Sequence, residues 1–106
     1  MSKNDDFLNK VMGLLYPIDG IRCKAMFGGY GIFHEDDMFA LIKGTGLFFK
    51  VDDSNRPDYE IMSSSQYKPM PYFQVPADVF DKPDSLLEWA GISIKVAHSS
   101  NKKKPH

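Results

Sequence analysis

A chain of 106 residues is long enough for one compact domain and too short for two ordinary ones. With 42% hydrophobic and 25% charged residues it can build a real core, which excludes disorder throughout, and no apolar run approaches the roughly 20 residues needed to span a bilayer. A formal net charge of -1 lacks the basic excess that phosphate neutralisation demands, which argues against direct DNA binding by this chain alone.

The single cysteine, Cys23, excludes an internal disulfide framework and fits a reducing cytoplasm, and the polar, acidic start Met1 to Asp6 does not read as a secretory signal. The first element is a helix over about Asp5 to Tyr16. Phe7, Leu8, Val11, Leu14 and Leu15 recur at helical spacing, carboxylates suit the first turn, and Pro17 and Gly20 stop it.

Ile21 to Phe27 alternates as a strand, with Ile21, Cys23, Ala25 and Phe27 on one face and Arg22, Lys24 and Met26 on the other. Gly28, Gly29 and Gly31, around Tyr30, read as a glycine bend or bulge leading into a second strand at Ile32-Phe33. His34-Glu35-Asp36-Asp37 makes a polar hairpin turn into a strand from Met38 to Lys43, and Gly44-Thr45-Gly46 turns into another from Leu47 to Val51. In that last strand Leu47, Phe49 and Val51 share one face and Phe48, Lys50 and Asp52 the other. This is the pattern of a sheet covered by helices on one side.

Asp53-Ser54-Asn55 supplies N-caps for a short helix from about Arg56 to Met62, with Pro57 in its first turn. Pro69, Pro71 and Pro76 demote Tyr72-Phe73-Gln74-Val75 to an edge strand. Asp81, Pro83 and Asp84 open a final helix to about Ala97, with Leu86, Leu87, Ala90, Ile94 and Ala97 as its buried stripe. Residues 1–98 are expected to form one domain and 99–106, with Lys102-Lys103-Lys104, a flexible basic tail. The expected fold class is α+β: a two-layer structure with an antiparallel sheet, helices on one side, and the order α-β-β-β-β-α-β-α.

With the strands placed, the wording of the chain resembles the N-terminal domain of the TfoX/Sxy family. The likeness is carried in order by Arg22, Met26 to Phe33, Met38 to Ile42, Phe49 to Asp52, Asn55-Arg56, Tyr59-Glu60, Met70 to Phe73, Val75-Pro76 and Leu87 to Ala90. The resemblance implies the same α+β domain. It also implies a role in regulating competence genes, in which family members act with a cyclic-AMP-responsive transcription activator. Longer members carry a second domain resembling helix-hairpin-helix modules, which this sequence does not include, so a stand-alone domain is expected. The Ser63 to Met70 connection is shorter than is usual in the family.

The side chains hold no convergent catalytic set. The glycine run lacks the Lys-Ser/Thr of a P-loop and leads into a strand rather than a helix, so it is a bend rather than a phosphate cradle. Strand alternation turns Cys23 inward as an inert buried thiol, and His34 to Asp37 reads as a solvated turn, so neither a catalytic residue nor a metal or cofactor site is expected. Arg22, Lys24, Phe48 and Lys50 fall on the sheet face away from the helices. Cations mixed with a large aromatic suit protein recognition, so this is the candidate interaction face, for a protein partner or a homodimer. Asp52 and Arg56 are the candidate structural corner between strand and helix. The expected function is therefore a non-enzymatic regulatory or adaptor domain acting through protein contacts. The alternative is a small-ligand-binding domain whose pocket lies between the Gly28 to Gly31 bend and the loop from Ser63 to Met70.

Overall fold

The computed structural model of the chain describes residues 3–26, 28–68 and 70–103. Among these residues the elements run as helix α1 (Lys3–Leu15), strands β1 (Ile21–Met26), β2 (Gly29–His34), β3 (Asp37–Lys43) and β4 (Gly46–Lys50), helix α2 (Arg56–Ile61), strand β5 (Tyr72–Gln74), and helices α3 (Ala77–Phe80) and α4 (Pro83–Lys103). The strands make one antiparallel sheet in chain order, β1-β2-β3-β4-β5. This is the α+β architecture expected, with helices on one side of the sheet. The order differs by α3, a single turn begun at Pro76, whose carbonyl accepts the Val79 and Phe80 amides.

The core lies between the sheet and the helices. Ile32, Phe39, Ala40, Ile42, Leu47, Phe49 and Phe73 come from the strands, Val11 and Leu15 from α1, and Leu86, Ala90, Ile94 and Ala97 from α4. Each large side chain so buried contributes about 1.5–3 kcal/mol relative to exposure. On α2, Tyr59 packs against Phe73 at 5.9 Å and edge-on against Trp89 at 4.7 Å between ring centroids. Trp89 thus anchors α2 to α4.

Register shows which residues share a face, because directly opposed residues of an antiparallel pair point the same way. Ala40 opposes Phe49 and Ile42 opposes Leu47 on the helix side, while Leu41 opposes Phe48 on the other. Between β2 and β3 the register slips: Ile32 pairs with Ala40 but Phe33 pairs with Met38. Phe39 is the extra residue of this bulge, which lets Phe39 and Ala40 both join the core and leaves Met38 with Phe33 on the open face.

The two sheet edges differ. The outer edge of β5 is covered by the preceding segment, with Gln74 N–H donating to the Ser65 carbonyl and Tyr67 N–H to that of Tyr72. β1 is the opposite edge, and Arg22 to Ala25 are all exposed. Cys23, expected to be buried, is exposed as well. Its side chain does belong to the helix side, opposite Ile32, but on this edge strand the core covers Ile21 and leaves Cys23 exposed. Phe27, expected on the same face, lies outside the described residues.

α4 continues past Ala97 to Lys103, so residues 99–103 of the expected tail are helical; Lys104 lies outside the described residues. No glycine or proline interrupts Ser99 to Lys103, so the helix has no local reason to stop there. No helix among the described residues is long and apolar enough to cross a membrane.

Candidate interaction face

Alternation along β1 and β4 places Arg22, Lys24, Phe48 and Lys50 on the sheet face away from the helices. Arg22 opposes Phe33 and Lys24 opposes Gly31, whereas Phe48 and Lys50 oppose Gln74 and Tyr72. The four do not form one cluster. Two strands separate the β1 pair from the β4 pair, a distance of about 14 Å at ordinary strand spacing.

The ground between them is apolar. Met26, Phe33 and Met38 lie around Gly31: a Cβ on Gly31 would strike the sulfur atoms of Met26 and Met38 and crowd the Phe33 ring. Beside them Leu41 is fully buried although it lies on this face, wedged in register between Gly31 and Phe48. The segment before β5 folds onto the β4 side, where Tyr67 packs on Phe48 with ring centroids 5.5 Å apart. Tyr72, also buried, donates its hydroxyl to the Met38 carbonyl at 3.3 Å, and burial pushes that hydroxyl above the ordinary tyrosine range.

Sequence reasoning named the cationic rim of this face together with Phe48 and placed Met26 beside Arg22 and Lys24, but missed Phe33 and Met38. Period-two counting works within one strand. Relating Phe33 to Met38 requires knowing that a bulge lies at Phe39.

The rim cations are held differently. Arg22 donates through Nε to the Glu35 carbonyl at 3.0 Å and through Nη2 to Asp36 at 3.2 Å, and its guanidinium lies 5.7 Å from the Phe33 ring centroid. Arg22 and Asp36 are both well exposed, so their ion pair is worth little on its own, about 0–1 kcal/mol. Lys24 projects from the edge strand into solvent. Lys50 is half-buried, and its backbone carbonyl accepts from Asn55 Nδ2 and from Ser93 Oγ.

At the corner after β4, Asp52 accepts from the backbone and hydroxyl of Ser54, and its carbonyl accepts the Arg56 amide at 2.9 Å. The Arg56 guanidinium reaches Asp53 at 3.9 Å. Asn55 occupies the N-cap position of α2 without capping it by its side chain. Its amide instead bridges Asp52 N–H and the Lys50 carbonyl, fixing the exit from the strand.

The glycine bend is placed differently from expectation. Gly28 does sit in the turn, with φ of 73°, a left-handed conformation that favours glycine. Gly29 and Gly31 are ordinary β2 residues, paired with Met26 and Lys24. They are small because neighbours approach closely, Ile42 for Gly29 and the two methionines for Gly31, and the bulge lies further on.

A cavity of about 420 Å³ opens between α1, the β3–β4 turn, the loop at Ser63 to Ser65, β5 and α3. Its lining takes in Phe7, Leu47, Ser64 and Phe80 but none of Gly28 to Gly31, so this cavity is not the pocket expected between the two loops.

The His34 to Asp37 turn is not simply solvated. His34 and Asp37 face the helix layer and are half-buried. His34 Nδ1 lies 2.8 Å from His98 Nε2 on α4, and His98 Nδ1 bonds the Asp37 carboxylate. Neither imidazole is hydrogen-bonded to a hydroxyl or a thiol among the described residues.

The family model described as the TfoX N-terminal domain matches residues 13–97. No curated protein matches the chain.

Proposed function

Because the chain belongs to the TfoX N-terminal domain family, we propose that it is a regulatory domain for competence gene expression, acting by protein contacts through the open face of its sheet. The observation that carries this reading is the composition of that face. An apolar centre of Met26, Phe33, Met38 and Phe48 is flanked by Arg22 and Lys24 on one side and Lys50 on the other. Aromatic, methionine and arginine side chains are enriched at interface centres, and rim charges steer encounter more than they hold the complex. The partner is a cyclic-AMP-responsive transcription activator, as the family resemblance implies, and a second copy of the chain is the competing occupant. In this reading the domain acts by contact rather than by catalysis, and among the described residues His34 is hydrogen-bonded to His98 and His98 to Asp37.

The test is binding of the purified domain to the activator by biolayer interferometry, with Lys24→Glu and Lys50→Glu as variants and circular dichroism as the control for folding. Binding that both charge reversals weaken supports the reading. Binding that neither variant changes places the contact on another face.

A second reading has one specific observation in its favour. The Ser64 hydroxyl, among the residues lining the 420 Å³ cavity, is buried without a hydrogen-bond partner among the described residues. An orphaned polar group beside a cavity of ligand size suits a small molecule with a hydrogen-bonding group. A thermal-shift screen in which Ser64→Ala abolishes a metabolite's stabilisation would favour this reading; a screen with no stabilising metabolite counts against it.

A further inference from the structure

We propose that His34, His98 and Glu35 form a binding site for a divalent transition-metal ion of the zinc class, with Asp37 holding His98 in its ligating form. The site lies at the end of β2 on the helix side, away from the proposed interaction face, and its argument is independent of that reading. Three elements build it. β2 ends at His34, the tight turn to β3 carries Glu35, and α4 brings His98 across 64 positions of sequence. One ligand atom from each of the three residues lies within 4.8 Å of the others.

The chemistry of the donors is specific. Asp37 accepts the Nδ1 proton of His98, which leaves the lone pair of His98 Nε2 free and aimed at His34. A carboxylate bound to the far nitrogen of a ligating histidine is the usual supporting arrangement in zinc sites, where it fixes the tautomer and raises ligand basicity. The Asp37 side chain is only 16% exposed and that of His98 29%, so this support is sheltered while the ligand side stays open.

Without metal, His34 donates its Nδ1 proton to His98 Nε2 across 2.8 Å. With metal, the His34 proton moves to Nε2 through solvent, and both facing lone pairs bind the ion. No net proton is released. Tetrahedral zinc with bonds of about 2.0–2.1 Å holds its nitrogen ligands roughly 3.3 Å apart, so the two nitrogens must part by about 0.5 Å and the rings must turn to aim both lone pairs at the ion.

Glu35 supplies the third donor. Its backbone is left-handed, with φ of 58°, and its amide donates to the Gly20 carbonyl. Gly20 itself has no side chain to occupy the space near the His34 ring; a Cβ there would lie 3.6 Å from both His34 Nε2 and Glu35 Cγ. Two imidazoles and one carboxylate select zinc or its transition-metal neighbours over calcium and magnesium, which require oxygen ligands. The fourth position remains for water or another donor.

Calorimetric titration of tag-free, chelator-stripped protein with zinc chloride tests the site. The expected result is one ion per chain with a dissociation constant at or below micromolar. His34→Gln and His98→Gln each weaken binding at least tenfold, Asp37→Asn weakens it 10- to 100-fold, and His106→Gln leaves it unchanged. Circular dichroism without metal checks each variant's fold. Should a histidine variant fail to fold, Glu35→Gln, a change at an exposed turn, is decisive: weakened binding supports the site and unchanged binding overturns it. No one-to-one binding at 0.1 mM zinc, or binding indifferent to the folded histidine variants, also overturns the proposal and leaves a hydrogen-bonded histidine pair.

Discussion

Gly29 lies so close to Ile42 that a methyl group at its α-carbon would overlap the Ile42 carbonyl oxygen. The obstacle is backbone at the centre of the sheet and cannot rotate away. At Gly31 the obstacles are the ends of two flexible methionines. Gly29→Ala is therefore expected to cost about 2–3 kcal/mol and Gly31→Ala about 1 kcal/mol. Gly13 on α1 meets nothing within 4 Å, and Gly13→Ala should stabilise by about 0.5–1 kcal/mol through helix propensity. Urea denaturation of the three variants measures the series, and a Gly29→Ala protein as stable as wild type would refute the close approach.

The hydroxyl of Tyr59 is buried and makes no well-formed hydrogen bond among the described residues; the Ser93 hydroxyl beside it is at best a weak partner, since it donates to the Lys50 carbonyl at 2.8 Å. Removing an unsatisfied buried polar atom without changing shape is nearly free or stabilising. Tyr59→Phe is expected to leave the unfolding free energy within about 0.5 kcal/mol of wild type or above it. A loss greater than about 1 kcal/mol in urea denaturation would show that the hydroxyl has a partner after all.

Burial holds the Tyr59 and Tyr72 hydroxyls above the ordinary tyrosine range. In the unfolded chain both ionise near pH 10, whereas in the native fold both keep their protons. The native state then binds more protons than the unfolded state. The stabilisation is complete below about pH 10 and is lost as pH rises beyond it, at about 1.4 kcal/mol per pH unit for each tyrosine. Urea midpoints between pH 9 and 11.5 should follow this decline, and Tyr59→Phe should make it shallower.

Phe48 and Phe49 are adjacent in β4 and opposite in environment. Phe49 is fully buried in the core, while Phe48 is half-buried against Tyr67. Phe49→Ala should cost about 3–5 kcal/mol, and Phe48→Ala roughly half of that or less, as read by thermal or urea denaturation. Equal losses would mean that the open face carries as much of the stability as the core.

This pair also shows what was legible in the sequence. Period-two alternation in β4, unbroken by a bulge, gave the correct face for Leu47, Phe48, Phe49 and Lys50, and the α+β layering followed from it. Alternation also assigned Cys23 to the helix side, but burial depends on how far the core extends along that edge strand, which no local pattern encodes. Met26 was placed on the open face with Arg22 and Lys24, but its neighbours Phe33 and Met38 stayed hidden because the bulge at Phe39 resets the count between β2 and β3. The meeting of His34 with His98 was illegible for another reason. It requires α4 to run past Ala97 and to cross the sheet at the β2–β3 turn, a matter of tertiary packing.

The open face of the sheet is the surface proposed for contact, and its methionines provide built-in reporters. Met26 and Met38 lie on that face, whereas Met12 packs on the core from α1 and Met62 is exposed just beyond α2. Methyl-labelled methionine spectra, recorded while the activator is added and again at rising protein concentration, test the claim directly. The Met26 and Met38 signals are expected to shift or broaden while those of Met12 and Met62 hold still. A response confined to Met62, or no response from Met26 and Met38 under conditions where association is measured, would contradict it.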